Sequence, residues 1–361
     1  YMFSRSQFNG NISEWDVSKV TNMSGMFKDS KFNQPLNKWN TGNVENMSFM
    51  FYLTPFNQPL DNWNTSKVES MAYIFYYTPF NKPLNNWDVS NVRDMTEMFI
   101  GTSFNQPLDK WNTSKVEYME FMFSDTPFNQ PLNSWNVSKV KNMSGMFANT
   151  LFNQPLDKWE TGNVTKMDEM FKNSMFNQPI GNWDTSNVKK MLGMFSYSKF
   201  NQPIGNWNVS NVKDMSYMFM EYPFNHPIGN WNTGNVKDMS FMFYFTPFNQ
   251  PLDNWNTSKV ENMEYMFYYN RKFNQPLNNW DVSNVKYMSY MFKLSPFNHS
   301  INNWNVSNVK DMTAMFASNK ALEKMPDWKL NPSVVLVDMF KETKFEGQEE
   351  SLKRSTPEKV S

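Results

Sequence analysis

The chain has 361 residues, 34 basic and 34 acidic side chains, no cysteine and two histidines. These figures exclude a disulfide framework, a thiolate metal site and a multi-histidine one, so no cofactor is called for. A net charge of zero removes nucleic acid as a favoured partner, and no apolar run approaches the roughly 18 residues of a membrane span.

Tyr1-Met2-Phe3 matches the close of a later unit, Tyr217-Met218-Phe219, so the sequence opens in mid-repeat. The expectation is a segment of a longer polypeptide, or a first coil covered by something else, because stacked repeats need protected ends. Tryptophan then recurs from Trp15 to Trp328 at intervals of 24 residues, with a single interval of 25. A fixed period in this range marks units that bury their apolar face on their neighbours rather than on themselves. Residues 1–320 therefore read as one repeat domain, although the length alone would suit two or three ordinary domains.

The unit from Phe80 to Ser103 shows the pattern. Pro83 precedes Leu84-Asn85-Asn86-Trp87-Asp88-Val89, where Trp87 and Val89 fall on one face of a short strand. Val92, Met95, Met98 and Phe99 recur at the spacing of one face of a short helix, with Ser90 as its N-cap. Ser66 with Glu69, Ser114 with Glu117, and Ser258 with Glu261 complete capping boxes. The expected fold is an α/β repeat solenoid of about 14 coils, each a short strand plus a short helix. The extra residue of the long unit falls in Tyr268-Tyr269-Asn270-Arg271-Lys272, a surface connection. Residues 321–345 keep the phase of Trp328 and Phe340 but lose the Phe-Asn-Gln-Pro-Leu motif, as a degenerate C-terminal capping coil does. Residues 346–361 read as a flexible polar tail.

Leu84-x-x-Trp87-x-Val89 has the strand spacing of a leucine-rich repeat. The whole unit, Phe-Asn-Gln-Pro-Leu-x-x-Trp-Asx-Val/Thr-Ser-x-Val-x-x-Met-x-x-Met-Phe, resembles the BspA-like bacterial surface-protein repeats, also described as Mycoplasma-type lipoprotein repeats. The resemblance covers residues 1 to about 345 and implies a leucine-rich-repeat-like stack used for adhesion or other protein contacts, without a catalytic motif. In place of the usual Asn ladder, the Asn after Phe (Asn9, Asn33, Asn57, Asn81 and successors) is expected to bond from rung to rung.

Two surfaces are candidates for binding. The residue after each Trp should point outward, giving a row that includes Asp88, Asn112, Asn136, Glu160, Asp184 and Asn208. Glu160 and Asp184 are neighbouring rungs, but a repeat places such neighbours without an oriented base, so no catalysis is read there. The second candidate is an aromatic patch of Tyr73, Tyr76, Tyr77, Phe241, Tyr265, Tyr268, Tyr269 and Tyr290, at the exposed helix position and in the return loops. His226 and His299 replace the Gln of Phe-Asn-Gln-Pro and read as repeat variation. The expected function is non-enzymatic protein binding at a surface, adhesin-like or as an accessory component of a large virus particle. The partners would be host-surface or particle proteins, or copies of the chain itself. A glycan is the alternative partner, and the setting is a cell surface, the extracellular space or a virion.

Overall fold

The computed structural model describes residues 1–221 and 223–353. The chain divides into two compact units, Tyr1–Asn187 and Val188–Ser361. The same coil is repeated within each.

The strand-plus-helix expectation is corrected. The described residues contain no α-helix and no extended strand, only isolated parallel bridges such as Asn46↔Ser70 and one 3₁₀ turn, Glu349–Leu352. This is neither an α/β solenoid nor a leucine-rich repeat. The reason lies in the backbone of the Met-x-x-Met-Phe segment. The amides of Met47, Phe49, Phe51 and Leu53 donate to the carbonyls of Ser70, Ala72, Ile74 and Tyr76 in the next coil, at 2.9–3.0 Å. Those of Met50, Tyr52 and Thr54 donate three residues back, to Met47, Phe49 and Phe51. Odd residues thus bond between coils and even residues within the coil, and every amide is satisfied without the consecutive bonds of a helix. Left-handed backbone at Phe49 (φ 59°) and Leu53 (φ 54°) produces the alternation. The same arrangement recurs in the second unit from Met263 to Asn270. Each non-glycine residue held there costs about 1–2 kcal/mol, which the bonds to the neighbouring coil offset.

The rest of the coil is a series of tight turns. Trp63 N–H closes on Leu60 O at 3.1 Å, and Val68 N–H closes on Thr65 O at 3.0 Å. Ser90 is no helix cap: its amide and hydroxyl both bond the Asp88 carboxylate. The proposed capping boxes fall with the helix, because Glu69 N–H bonds Glu45 O in the preceding coil.

The apolar columns fill the interior. Met47, Met50, Phe51, Phe56, Leu60 and Val68 are fully buried. Phe51 lies flat on Phe56 at 3.9 Å and on Phe75 of the next coil at 5.8 Å. Trp63 stacks on Trp87 at 6.3 Å, and its indole N–H donates to Leu36 O, one coil back, at 2.9 Å. The buried Thr65 hydroxyl donates to Asp88 O in the next coil, so Thr alternates with Val at that site without leaving a polar group unpaired.

The Asn after Phe does act as a ladder. Asn57 N–H donates to Asn33 Oδ1 at 3.0 Å, and Asn81 N–H to Asn57 Oδ1 at 3.1 Å. The following Gln58 adds an amide bond to Asn33 Oδ1. His226 and His299 place Nε2 3.0 Å from the carbonyls of Asn201 and Asn274, where Gln58 and its equivalents bond other rungs. In the long unit, buried Asn270 accepts from Lys272 N–H and Phe273 N–H, closing the enlarged loop while Arg271 and Lys272 stay exposed.

In residues 321–345 the phase persists. Trp328 Nε1 donates to Ile301 O at 3.1 Å, and Phe340 stacks on Phe316 at 5.7 Å. The tail expectation from Glu346 is corrected in part: Leu330 N–H bonds Leu352 O at 2.8 Å, Leu330 bridges Lys353, and Leu352 is buried. Residues 354–361 lie outside the described residues.

Candidate interaction surfaces

The row after Trp is exposed at every expected position, Asp88, Asn112, Asn136, Glu160 and Asp184 in the first unit and Asn208 in the second. Five of the six have a built-in structural task. Their side-chain oxygens accept the backbone N–H two residues on, from Ser90, Ser114, Ser138, Ser186 and Ser210, at 2.9–3.1 Å. Asp and Asn suit this turn because the oxygen stands one methylene from the backbone. The Ser186 hydroxyl and amide hold the Asp184 carboxyl below the ordinary aspartate value. Glu160 is one methylene longer and lines a shallow groove with Asp157, Lys158, Gly162 and Asp184.

The aromatic patch is not on helices. Tyr73, Tyr77, Phe241, Tyr265, Tyr269 and Tyr290 all sit at the left-handed positions, with φ between 48° and 60°. Tyr76 and Tyr268 stand between such positions in their coils. In the second unit Tyr217, Phe241, Tyr265 and Tyr290 form a continuous column with ring centroids 4.4–4.6 Å apart. Tyr244 stacks on Tyr268 at 5.1 Å and Phe245 on Tyr269 at 4.7 Å beside it. Lys293 and Arg271 lie over Tyr290 and Tyr269 at 5.3 and 4.3 Å. In the first unit Phe49 stacks on Tyr73 at 4.5 Å and Tyr52 on Tyr76 at 4.2 Å. Burial, then the bond with Tyr52, pushes the Tyr76 hydroxyl up to about 12. These rings are half-buried along the flank, while Tyr77 and Phe245 are exposed.

Glycine ends such columns. A Cβ on Gly101 would meet the Tyr77 ring at 2.4 Å, and one on Gly145 the Phe121 ring at 2.1 Å, so each ring lies over bare backbone. Elsewhere in the first unit amides replace rings: Asn149 Nδ2 donates to Asp125 and Asn173 Nδ2 to Asn149, at 2.9 and 3.0 Å.

A model of the family described as "Mycoplasma protein of unknown function, DUF285" matches the chain four times, at residues 1–79, 76–175, 148–253 and 244–352. The chain belongs to the DUF285 family. The match bears out a Mycoplasma-type repeat family, whereas the leucine-rich-repeat part of the resemblance fails on the backbone described above. No curated protein matches the chain. Among the described residues of this DUF285 chain, no helix is long and apolar enough to cross a membrane.

An acidic group next to Tyr73 was not picked out in the sequence. Glu120 accepts from Thr96 Oγ1 at 3.2 Å and Asn142 Nδ2 at 2.6 Å, and burial raises its carboxyl above the ordinary value against these bonds. Glu97 is raised by burial and by the Glu120 charge. Raised carboxyls bind protons more tightly folded than unfolded, so their favourable contribution is present below the ordinary glutamate value and lost as pH climbs through the raised one. Asp16, Asp184 and Asp281 have lowered values and act oppositely, losing stability as pH falls. Glu120→Gln should therefore melt higher than the parent at neutral pH, with the advantage shrinking toward about pH 4. Thermal melts of both proteins across that range check it, and an advantage that grew on acidification would contradict it.

Proposed function

We propose that this DUF285 protein binds other proteins at a surface without catalysing a reaction, either as an adhesin-like molecule or as an accessory component of a large virus particle. The observation that carries this reading is the ring column of the second unit. Half-exposed Tyr and Phe held in register supply large contact area at little entropic cost, which is the composition of protein interfaces. Its rings spend their faces on one another. What remains outward is ring edges, hydroxyls and the Lys293 and Arg271 cations, which favours a protein partner over a sugar stacked on a ring face. The exposed Asx row offers a second, polar surface with the same coil spacing.

The test is binding of labelled protein to intact cells and to purified particles. Protease treatment of the target should abolish binding, enzymatic deglycosylation should leave it, and Tyr265→Ser with Tyr290→Ser should weaken it. Binding lost on deglycosylation and kept after proteolysis would overturn the reading in favour of a glycan.

A further inference from the structure

The ring surface of the second unit is ordered in rows as well as in columns. Glu221 N–H donates to Tyr244 O at 2.8 Å and Phe245 N–H to Tyr268 O at 2.9 Å, so Glu221 holds in its coil the place that Phe245 holds in the next. Tyr269 and Leu294 continue that column, all with φ between 51° and 57°. Lys293 N–H donates to Tyr290 O as Tyr268 N–H does to Tyr265 O, which puts Lys293 in the column of Tyr244 and Tyr268. The two inner coils therefore present only rings at these places. The coil before them carries Met220 and Glu221, and the coil after them carries Lys293 and Leu294, all four partly exposed. Lys293 lies over Tyr268 and Tyr290 at 5.8 and 5.3 Å. Among the described residues neither Glu221 nor Lys293 is in an ion pair.

A surface with an acid at one end, a base at the other and rings between complements its own copy when the second copy is reversed. With a two-fold axis lying across the columns, midway between the inner coils, Phe241 faces Tyr265 of the second copy and Tyr244 faces Tyr268. The row of Met220 and Glu221 then meets the row of Lys293 and Leu294, so an apolar group and a charge at each end find their complements, twice over. Along the flank the same axis sets Asp214 opposite Tyr287 and Asp238 opposite Asn262, because these four succeed one another in the bridged column. With the coils running parallel instead, Glu221 would meet Glu221 and Lys293 would meet Lys293. We propose that this surface pairs with that of a second copy of the chain in an antiparallel two-fold dimer. The proposal rests on the reading of the ring column as a protein contact and names its occupant. Ring burial supplies the attraction, and the Glu221–Lys293 contacts fix the orientation.

Glu221→Lys and Lys293→Glu each place like charges at both ends of this interface, whereas a 1:1 mixture of the two variants is complementary again. Sedimentation equilibrium of the full chain should find the parent dimeric at about 100 μM, and each variant alone weakened about tenfold or more in Kd. The mixture should return to near the parent's Kd. A parent that stays monomeric at that concentration, variants that associate as tightly as the parent, or a mixture no tighter than either variant alone would overturn the inference. Protease-sensitive binding to cells and particles is a separate measurement, so a monomeric parent that keeps it defeats the dimer and leaves the protein-binding reading standing.

Discussion

Replacing Trp135 by alanine is expected to cost about 3–5 kcal/mol of stability. Trp135 is 2% exposed, stacks on Trp111 at 6.0 Å and packs against Phe123 at 6.1 Å. Its indole N–H also donates to Leu108 O at 2.9 Å. Truncation therefore removes the ring from two neighbours, leaves a hole between coils and takes away one of the two bonds that Leu108 O accepts, the other coming from Trp111 N–H at 3.1 Å. Trp135→Phe would keep much of the packing and lose the bond, so it should fall between the parent and the alanine variant. Equilibrium denaturation of the three proteins measures the order. An alanine variant as stable as the parent would contradict the buried column.

Much of the coil was legible in the sequence. The Trp interval gave the phase, and the buried identities of Met95, Met98, Phe99 and Val92 follow from their spacing. The Asn ladder was legible because an amide at a constant place beside an apolar residue needs a partner at the repeat distance. Helix and tandem turns, however, ask for the same apolar spacing, since both return to the core after three or four residues. What separates them is the sign of φ at Glu97, Phe121 or Tyr265, and glycine, the residue that would have announced it, stands at only some of these positions, such as Gly145 and Gly193. The aromatic patch was legible as a cluster for the same reason that its geometry was not. Tyr and Phe at a left-handed position look like surface variation until the rings of adjacent coils are seen stacked. Glu97 and Glu120 fall in adjacent coils of the repeat, and their mutual influence depends on how deep the flank buries them. In the last coil Ala321 aligns with Phe297 by number, whereas Leu322 takes its place in space, an offset of one residue that counting the period does not reveal.

The alternation of bonds between and within coils is the central claim, and Glu169 tests it most directly. Glu169 has φ 54° and sits in the middle of the segment that the apolar spacing reads as helix. Its surface ion pair with Lys172 is removed equally by alanine and by glycine, so comparing those two variants isolates the backbone. In left-handed backbone alanine pays for its Cβ and glycine does not, and Glu169→Gly should be more stable than Glu169→Ala by about 1 kcal/mol. In a helix the order reverses by a similar amount. Denaturant melts of the two variants under identical conditions decide the matter: glycine above alanine is the predicted result, and alanine above glycine would contradict the coil described here.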